Sequence, residues 1–244
     1  MHSKQAEIGL SLLFVCITGI YYFVPLGSPD SDRVFVTIST FFFSIFTGFF
    51  VSRQGARYTK LRETISSFDG KLSSVYRAAG NISAEVQERL GAIIRAHYAV
   101  MLEKKQWDYH FINKSNTIAS SHQVLEEMVG SAKQESLRNQ AVGRVLTGLA
   151  DCQVLRKNMV MLYQEKIPPF QWFLILFFLV MLVLAISAIP STGLFLGSIL
   201  KAAFIVSLIS VVVILRNLEN FHLFEEFIGE RSAQDVIDII DQKK

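Results

Sequence analysis

The sequence predicts an all-α membrane protein with four transmembrane helices, arranged as two hairpins with a cytoplasmic helical bundle inserted between the second and third helices. The first observation is composition, because 51% of the 244 residues are apolar and only 18% are charged, below the roughly 25% of soluble domains. The second is segregation: no Asp, Glu, Lys or Arg occurs in residues 8–29, 34–52, 167–200 and 202–215. The third is a spacing of three and four residues between apolar side chains in the polar middle region, which is typical of amphipathic helices.

The uncharged stretches supply four helices of about the length that crosses the roughly 30 Å apolar core of a bilayer, and the fourth of them contains Lys201. Pro25 and Gly27 end the first helix, and the run from Pro190 to Gly193 divides the 167–200 stretch into a hairpin. A cleaved signal peptide is the alternative for the first helix, but no small-residue cleavage pattern follows it. We place the transmembrane helices at residues 8–24, 34–51, 170–189 and 194–215.

These helices divide the chain into four segments with different environments. Of the 24 Lys and Arg residues, 17 lie between residues 52 and 169, whereas the loops on the opposite side contain only Arg33. Because basic residues concentrate on the cytoplasmic side, we expect a multi-pass protein of the cell membrane with both termini in the cytoplasm. The segments are a first transmembrane hairpin (1–51), a cytoplasmic helical insert (52–169), a second hairpin (170–215) and a cytoplasmic helical tail (216–244).

The insert is predicted to be helical throughout. Apolar residues between 58 and 72 extend the second transmembrane helix into the cytoplasm, up to a break at Asp69-Gly70 or at Gly80-Asn81. Ser232 and Asp235 have the capping spacing of a short final helix. Further apolar stripes predict helices over 86–101, 117–129 and 137–162.

Catalytic and metal-binding motifs are absent from the sequence. His97, His110 and His122 are separated by thirteen and twelve residues, so they form no local metal-binding face on one helix. There is no Gly-rich phosphate loop, His-Glu-x-x-His motif or Cys pair at ligand spacing. The basic residues of the insert alternate with acidic ones and lack an aromatic platform. We therefore predict no enzyme activity, no metal, no cofactor and no nucleic-acid partner.

The membrane segments contain one charged side chain, Lys201. Coupled transporters place ionisable groups, usually carboxylates, inside the bundle to carry protons or cations, so this class is disfavoured. Because Lys201 lies near the outer end of its helix, we expect its ammonium group to snorkel to the membrane surface.

The second transmembrane helix contains the candidate functional residues. Its hydroxyl side chains follow at spacings of three and four and share one face with Phe41 and Gly48: Thr37, Thr40, Ser44 and Thr47. Such a face lines a water-filled pore in which Phe41 is a hydrophobic constriction, or it packs against a neighbouring membrane helix. The pattern alone leaves both interpretations open.

Two basic residues, Arg53 and Arg57, follow this helix at its cytoplasmic end. In a symmetric oligomer they would form basic rings at the mouth of a pore, which suit anions. Ordinary flanking of a membrane helix by positive charges explains them equally well.

Three short motifs stand at the ends of the membrane helices: Phe-Thr-Gly-Phe-Phe at 46–50, Arg-Tyr-Thr-Lys-Leu-Arg at 57–62 and Ile-Pro-Pro-Phe-Gln-Trp at 167–172. Together with the layout of the helices, these motifs resemble the bestrophin family, more specifically the bacterial bestrophin-like membrane proteins. The resemblance implies a homo-oligomer, a pentamer by family analogy, in which the second helix lines a pore with apolar residues one turn apart. The matching residues here are Phe41, Ile45 and Phe49.

The sequence departs from the bestrophin pattern at two places. Tyr58, Thr59 and Lys60 replace the Trp-Trp-Glu of the family's Arg-Trp-Trp-Glu-x-Arg run. The tail also lacks the dense acidic cluster of the calcium clasp in the animal proteins, so calcium gating is not expected.

These observations predict an oligomeric bestrophin-like ion channel in the lipid bilayer that conducts small anions. Arg53 and Arg57 are its predicted mouth residues. The predicted pore-lining residues are Thr37, Phe41, Ser44, Ile45, Gly48 and Phe49. The alternative is a membrane-anchored scaffold or sensor whose helical insert binds a partner protein. A weaker analogy is the stator subunit of bacterial motors, which also has a cytoplasmic domain between its second and third membrane helices.

Overall fold

The computed structural model describes residues 2–23, 33–113, 115–129, 136–189, 194–221 and 230–241. All regular secondary structure in these ranges is helical, as the sequence predicts. The predicted turns at Pro25-Gly27 and at Pro190-Gly193 lie outside the described residues. The helices are α1 (His2–Phe23), α2 (Arg33–Gly80), α3 (Ala84–Lys104), α4 (Tyr109–Ile112), α5 (Thr117–Val129), α6 (Ser136–Gln164), α7 (Pro169–Ala188), α8 (Leu194–Glu219) and α9 (Glu230–Ile240).

Three helical stretches in the described residues are long and apolar enough to cross a membrane: Val36–Gly80, Arg138–Ala188 and Phe195–Glu219. The apolar part of the second stretch is α7, which contains no charged residue. In α1 the apolar stretch, Leu12–Phe23, is shorter. The structure thus supports a membrane protein with three candidate spanning helices, and the arrangement of four helices in two hairpins stays a prediction.

Helix α2 is far longer than a bilayer requires. It contains 48 residues without a break at Asp69-Gly70, so its length is about 72 Å, more than twice the apolar thickness of a membrane. Residues 34–52 form the one long stretch of this helix without Asp, Glu, Lys or Arg. That part fits the membrane, and the remainder continues beyond it.

The chain divides into two compact units. The membrane unit comprises Met1–Ala56 and Lys166–Leu223, and the helical unit comprises Arg57–Glu165 and Phe224–Lys244. In the membrane unit α1 and α7 pack against α8. Its core contains apolar side chains from all four helices, among them Tyr21, Phe43, Ile175 and Leu215.

Lys201 lies inside the membrane unit instead of reaching its surface. Its side chain is only 8% exposed, and its Nζ donates a hydrogen bond to the Ser187 carbonyl at 3.5 Å. The same Nζ lies 5.3 Å from the centre of the Tyr21 ring, whose hydroxyl is hydrogen-bonded to the Ser187 hydroxyl. Residues of α1 and α7 thus supply aromatic and polar partners for its ammonium group, and the expectation that Lys201 snorkels to the membrane surface stays a prediction.

The buried carboxylate of Glu219 binds residues on both sides of the start of α7. Glu219 Oε1 accepts hydrogen bonds from the Ile167 backbone N–H at 2.8 Å and from Trp172 Nε1 at 3.2 Å. Its Oε2 accepts from Arg216 Nη1 at 2.9 Å. A negative charge is favourable at the N-terminal end of a helix. The motif at 167–172 therefore has its polar partner at the end of α8.

The helical unit has its own apolar core. Ser83 caps α3 by accepting a hydrogen bond from the Val86 N–H at 3.2 Å, as N-cap residues do. Helix α3 packs against α5 and α9, and α5 packs against α6. The core side chains come from α2, α3, α5 and α6: Val75, Ala79, Val86, Leu90, Val124, Leu125, Val145 and Leu149.

Gly148 allows α2 and α6 to approach closely. A Cβ atom at this position would lie 2.6 Å from Val75 Cγ2, well inside ordinary van der Waals contact. The lack of a side chain is therefore required by packing rather than by backbone conformation.

The final helix, α9, packs on α3 as an amphipathic helix. Its buried face consists of Ala233, Val236 and Ile240, and Tyr76 donates a hydrogen bond from its hydroxyl to the Ile240 carbonyl at 3.3 Å. An ion pair between Arg95 and Asp241 holds the end of the helix.

Candidate functional site

The predicted pore-lining residues lie on one surface of α2. Phe41, Ile45 and Phe49 are 61%, 51% and 59% exposed in the single chain. Thr37, Ser44 and Gly48 are exposed as well, and a Cβ atom at Gly48 would meet no other atom within 4 Å. We call this surface of α2, residues 37, 41, 44, 45, 48 and 49, the α2 outer face.

The opposite side of α2 packs into the membrane unit. Phe43 and Phe50 are buried in its core. Phe42 and Phe46 stack on Phe178 of α7, with ring centres 5.6 and 5.5 Å apart. These aromatic contacts fix the rotation of α2 about its own axis, which leaves the α2 outer face on the surface of the unit.

The four hydroxyl residues of α2 do not share one environment. Thr47 is buried and donates to the Phe43 carbonyl at 2.5 Å, whereas Thr40 is half-buried and donates to the Val36 carbonyl at 2.8 Å. Thr37 and Ser44 are exposed, as are Phe41, Ile45 and Phe49. Two of the four hydroxyl residues therefore lie on the same exposed surface as the apolar residues that match the bestrophin pattern.

The two predicted mouth residues differ in their surroundings. Arg53 is exposed. Arg57 is only 5% exposed, and its Nε and Nη2 donate to the Leu162 and Tyr163 carbonyls at 2.6 and 2.8 Å. The last carbonyl groups of a helix lack partners within the helix and carry partial negative charge. The Arg57 guanidinium thus caps the end of α6, about one hundred residues away in sequence, and no local pattern announces that contact.

Sequence reasoning missed a polar cluster in the helical unit. Asp69, Tyr98, His97, His110 and Arg156 line a cavity of about 50 Å³ together with apolar side chains. The Tyr98 hydroxyl donates to Asp69 Oδ1 at 2.5 Å. Burial raises the pKa of Asp69 from 3.8 to about 6, against the lowering effect of the Ser232 and Tyr98 hydroxyls.

The two histidines of this cluster stack on each other, with ring centres 3.8 Å apart. His110 Nε2 donates to the His97 carbonyl at 2.7 Å, and His97 Nδ1 contacts the Thr117 hydroxyl at 2.9 Å. Burial lowers the pKa of His97 to about 3 and also lowers the pKa of His110. Both rings are therefore neutral at physiological pH. Within the described residues no group of three or more His, Cys, Asp or Glu side chains is arranged to hold a metal ion.

Comparisons with known proteins identify a family for this chain. A family model described as "Bestrophin-like domain" matches residues 28–231. No curated protein and no solved structure matches the chain significantly.

Proposed function

Because the chain belongs to the bestrophin-like family, which confirms the predicted family resemblance, we propose that it is a homo-oligomeric ion channel whose pore is lined by the α2 outer face. One copy of α2 does not enclose a channel. Several copies around a symmetry axis repeat the same face as rings. By family analogy the oligomer is a pentamer, with both termini in the cytoplasm.

The composition of the α2 outer face is the observation that carries this proposal. The exposed residues of α7 are apolar along its central part: Phe173, Leu176, Phe177, Val180 and Leu184. Such a surface suits lipid. The α2 outer face instead includes Thr37, Ser44 and Gly48. Because polar groups in a membrane segment turn towards protein or water, this face suits the lumen of an oligomer better than the surrounding lipid.

Phe41 and Arg53 have separate roles in the proposed channel. A ring of Phe41 side chains narrows the lumen and controls its wetting. A ring of Arg53 side chains at the cytoplasmic mouth attracts anions, so we propose small anions as the permeant ions. Arg57 is not needed for this selectivity, because its guanidinium binds the end of α6.

The experiment is ion flux through the purified oligomer in liposomes, measured for chloride and for potassium. Phe41→Ala should change the flux severalfold by widening the constriction. Phe173→Ala is the matched control, because Phe173 is 62% exposed but lies on α7. Arg53→Glu should lower the chloride-to-potassium permeability ratio, and Arg144→Glu, an exposed arginine of α6, should leave it unchanged. A folded oligomer without flux, or with flux indifferent to Phe41→Ala and Arg53→Glu, refutes the proposal.

A groove in the helical unit supports a second function, that of a scaffold or sensor that binds a partner protein. The groove has a volume of about 1030 Å³ and lies along α5 and α6. Apolar residues of α6 are exposed near it, including Val154 and Met161. Binding without flux in the liposome experiment would favour this alternative.

A further inference from the structure

The cytoplasmic continuation of α2 has an exposed surface of unusual composition. Between residues 52 and 77, where every side chain is described, no large apolar residue of α2 is exposed. The exposed residues are small, hydroxylated or charged: Ser52, Arg53, Ala56, Thr59, Lys60, Arg62, Glu63, Ser66, Ser67, Gly70, Lys71, Ser74 and Arg77. Such a surface is suited to remain in water rather than to pack against another protein.

The exposed surface of α6 in the same helical unit is different. Leu146, Val154 and Met161 are 41%, 58% and 63% exposed. Contacts between identical subunits are more apolar than the rest of the protein surface. In an oligomer, α6 therefore has the surface suited to a neighbouring copy, whereas the small polar surface of α2 is suited to a water-filled space.

Glu63 lies at the centre of the polar surface of α2. The series 45, 48, 52, 56, 59, 63, 66 and 70 follows spacings of three and four along one uninterrupted helix, and all of these residues are exposed. Lys60 and Arg62 lie to either side of Glu63 on the helix surface. The other acidic residue of α2, Asp69, is buried, and Lys71 is paired with Asp151 at 2.7 Å.

We infer that Glu63 is a selectivity-determining residue, whose carboxylates form a ring in the ion path about 15 Å beyond the Arg53 ring along α2. This inference rests on the proposed function. A carboxylate ring attracts small cations and repels anions, so Glu63 opposes the anion preference of Arg53. The two rings together set the permeability ratio of chloride to potassium.

The test is the reversal potential of the reconstituted oligomer in a potassium chloride gradient. Removing the ring by Glu63→Gln should raise the chloride-to-potassium permeability ratio by about threefold or more at low ionic strength, where screening is weak. Glu63→Asp keeps the charge and should preserve the wild-type ratio. Glu88→Gln is the matched control, because Glu88 is an exposed acid of the same unit on α3, and it should leave the ratio unchanged.

The outcomes separate this inference from the channel itself. A wild-type oligomer that does not conduct removes the proposed function. If the wild type conducts and Glu63→Gln has the same chloride-to-potassium permeability ratio, the Glu63 inference alone is overturned. The same holds if Glu63→Gln destabilises the oligomer without changing this ratio. That result would mean that Glu63 pairs with Lys60 or Arg62 of a neighbouring copy.

A cysteine variant keeps the inference testable if Glu63→Gln disturbs assembly. Glu63→Cys is made with Cys16→Ser, because Cys16 is exposed whereas Cys152 is buried. A negatively charged thiosulfonate reagent should then lower the chloride-to-potassium ratio, and a positively charged one should raise it. A ratio indifferent to both reagents overturns the inference.

Discussion

Replacing Asp69 with Asn should stabilise the helical unit at neutral and alkaline pH. Asp69 is buried, and burial raises the pKa of its carboxyl from 3.8 to about 6. The folded state therefore binds this proton more tightly than the unfolded state does. Stability from this group is fully present below pH 4 and is lost as the pH rises through 6.

The size of the effect follows from these two values. The difference between 3.8 and about 6 corresponds to roughly 3 kcal/mol at about 1.4 kcal/mol for each pH unit. Asn is neutral at every pH and keeps an oxygen that accepts the hydrogen bond from Tyr98. The free energy of unfolding of Asp69→Asn should thus exceed that of the wild type by up to about 3 kcal/mol at pH 8 and equal it near pH 4.

Denaturant unfolding of the protein in mild detergent, followed by the fluorescence of Trp107, measures this difference between pH 4 and pH 8. Trp107 is buried in the helical unit, and a Trp172→Phe background makes it the sole tryptophan. His97 also titrates on unfolding, because burial lowers its pKa to about 3, but this contribution is shared by both proteins and cancels in the difference. A variant that is less stable at pH 8, or a difference independent of pH, would refute the reasoning.

Two further substitutions test packing and capping in the helical unit by the same unfolding assay. Gly148→Ala should lower the free energy of unfolding by about 1–3 kcal/mol, because the new Cβ would lie 2.6 Å from Val75 Cγ2. The control is Gly143→Ala on the same helix, whose Cβ would meet nothing within 4 Å and which should raise the free energy of unfolding by about 0.5–1 kcal/mol through helix propensity. Equal effects of the two substitutions would contradict the close approach of α2 and α6. Arg57→Lys should lower the free energy of unfolding by about 1–3 kcal/mol, because a single ammonium group replaces the two nitrogen atoms that reach the Leu162 and Tyr163 carbonyls. Lys60→Arg, at an exposed position of the same helix, is the control. An unchanged stability of Arg57→Lys would show that these hydrogen bonds contribute nothing.

Much of the fold was predictable because it depends on local patterns. Helices α3, α5 and α6 coincide with the predicted stripes, and α9 begins two residues before the predicted cap at Ser232. The polar cluster around Asp69 was not predictable. Its members come from α2, α3, α4 and α6, and only folding brings them around one cavity.

The residues proposed to line the pore follow from local spacing, whereas the rotation of α2 about its own axis does not. Spacings of three and four residues place Phe41 on the face with the hydroxyl side chains and also in the apolar series with Ile45 and Phe49. Which of these two sets of residues is exposed depends on how α2 packs. The stacking of Phe42 and Phe46 on Phe178 fixes the rotation of the helix. Thr47 belongs to the same sequence stripe as Thr37 and Ser44, yet it faces the core.

The sequence by itself determined that this chain is helical, that its apolar residues are concentrated in membrane segments, and that it resembles the bestrophin-like family. These properties depend on composition and on short-range periodicity, which remain readable before the chain folds. The tertiary structure decided which basic residue is exposed and which caps a distant helix, as Arg53 and Arg57 show. It also decided that Lys201 is enclosed and that Glu63 is exposed. The physical reason is that exposure and charge pairing are set by contacts between residues far apart in the chain.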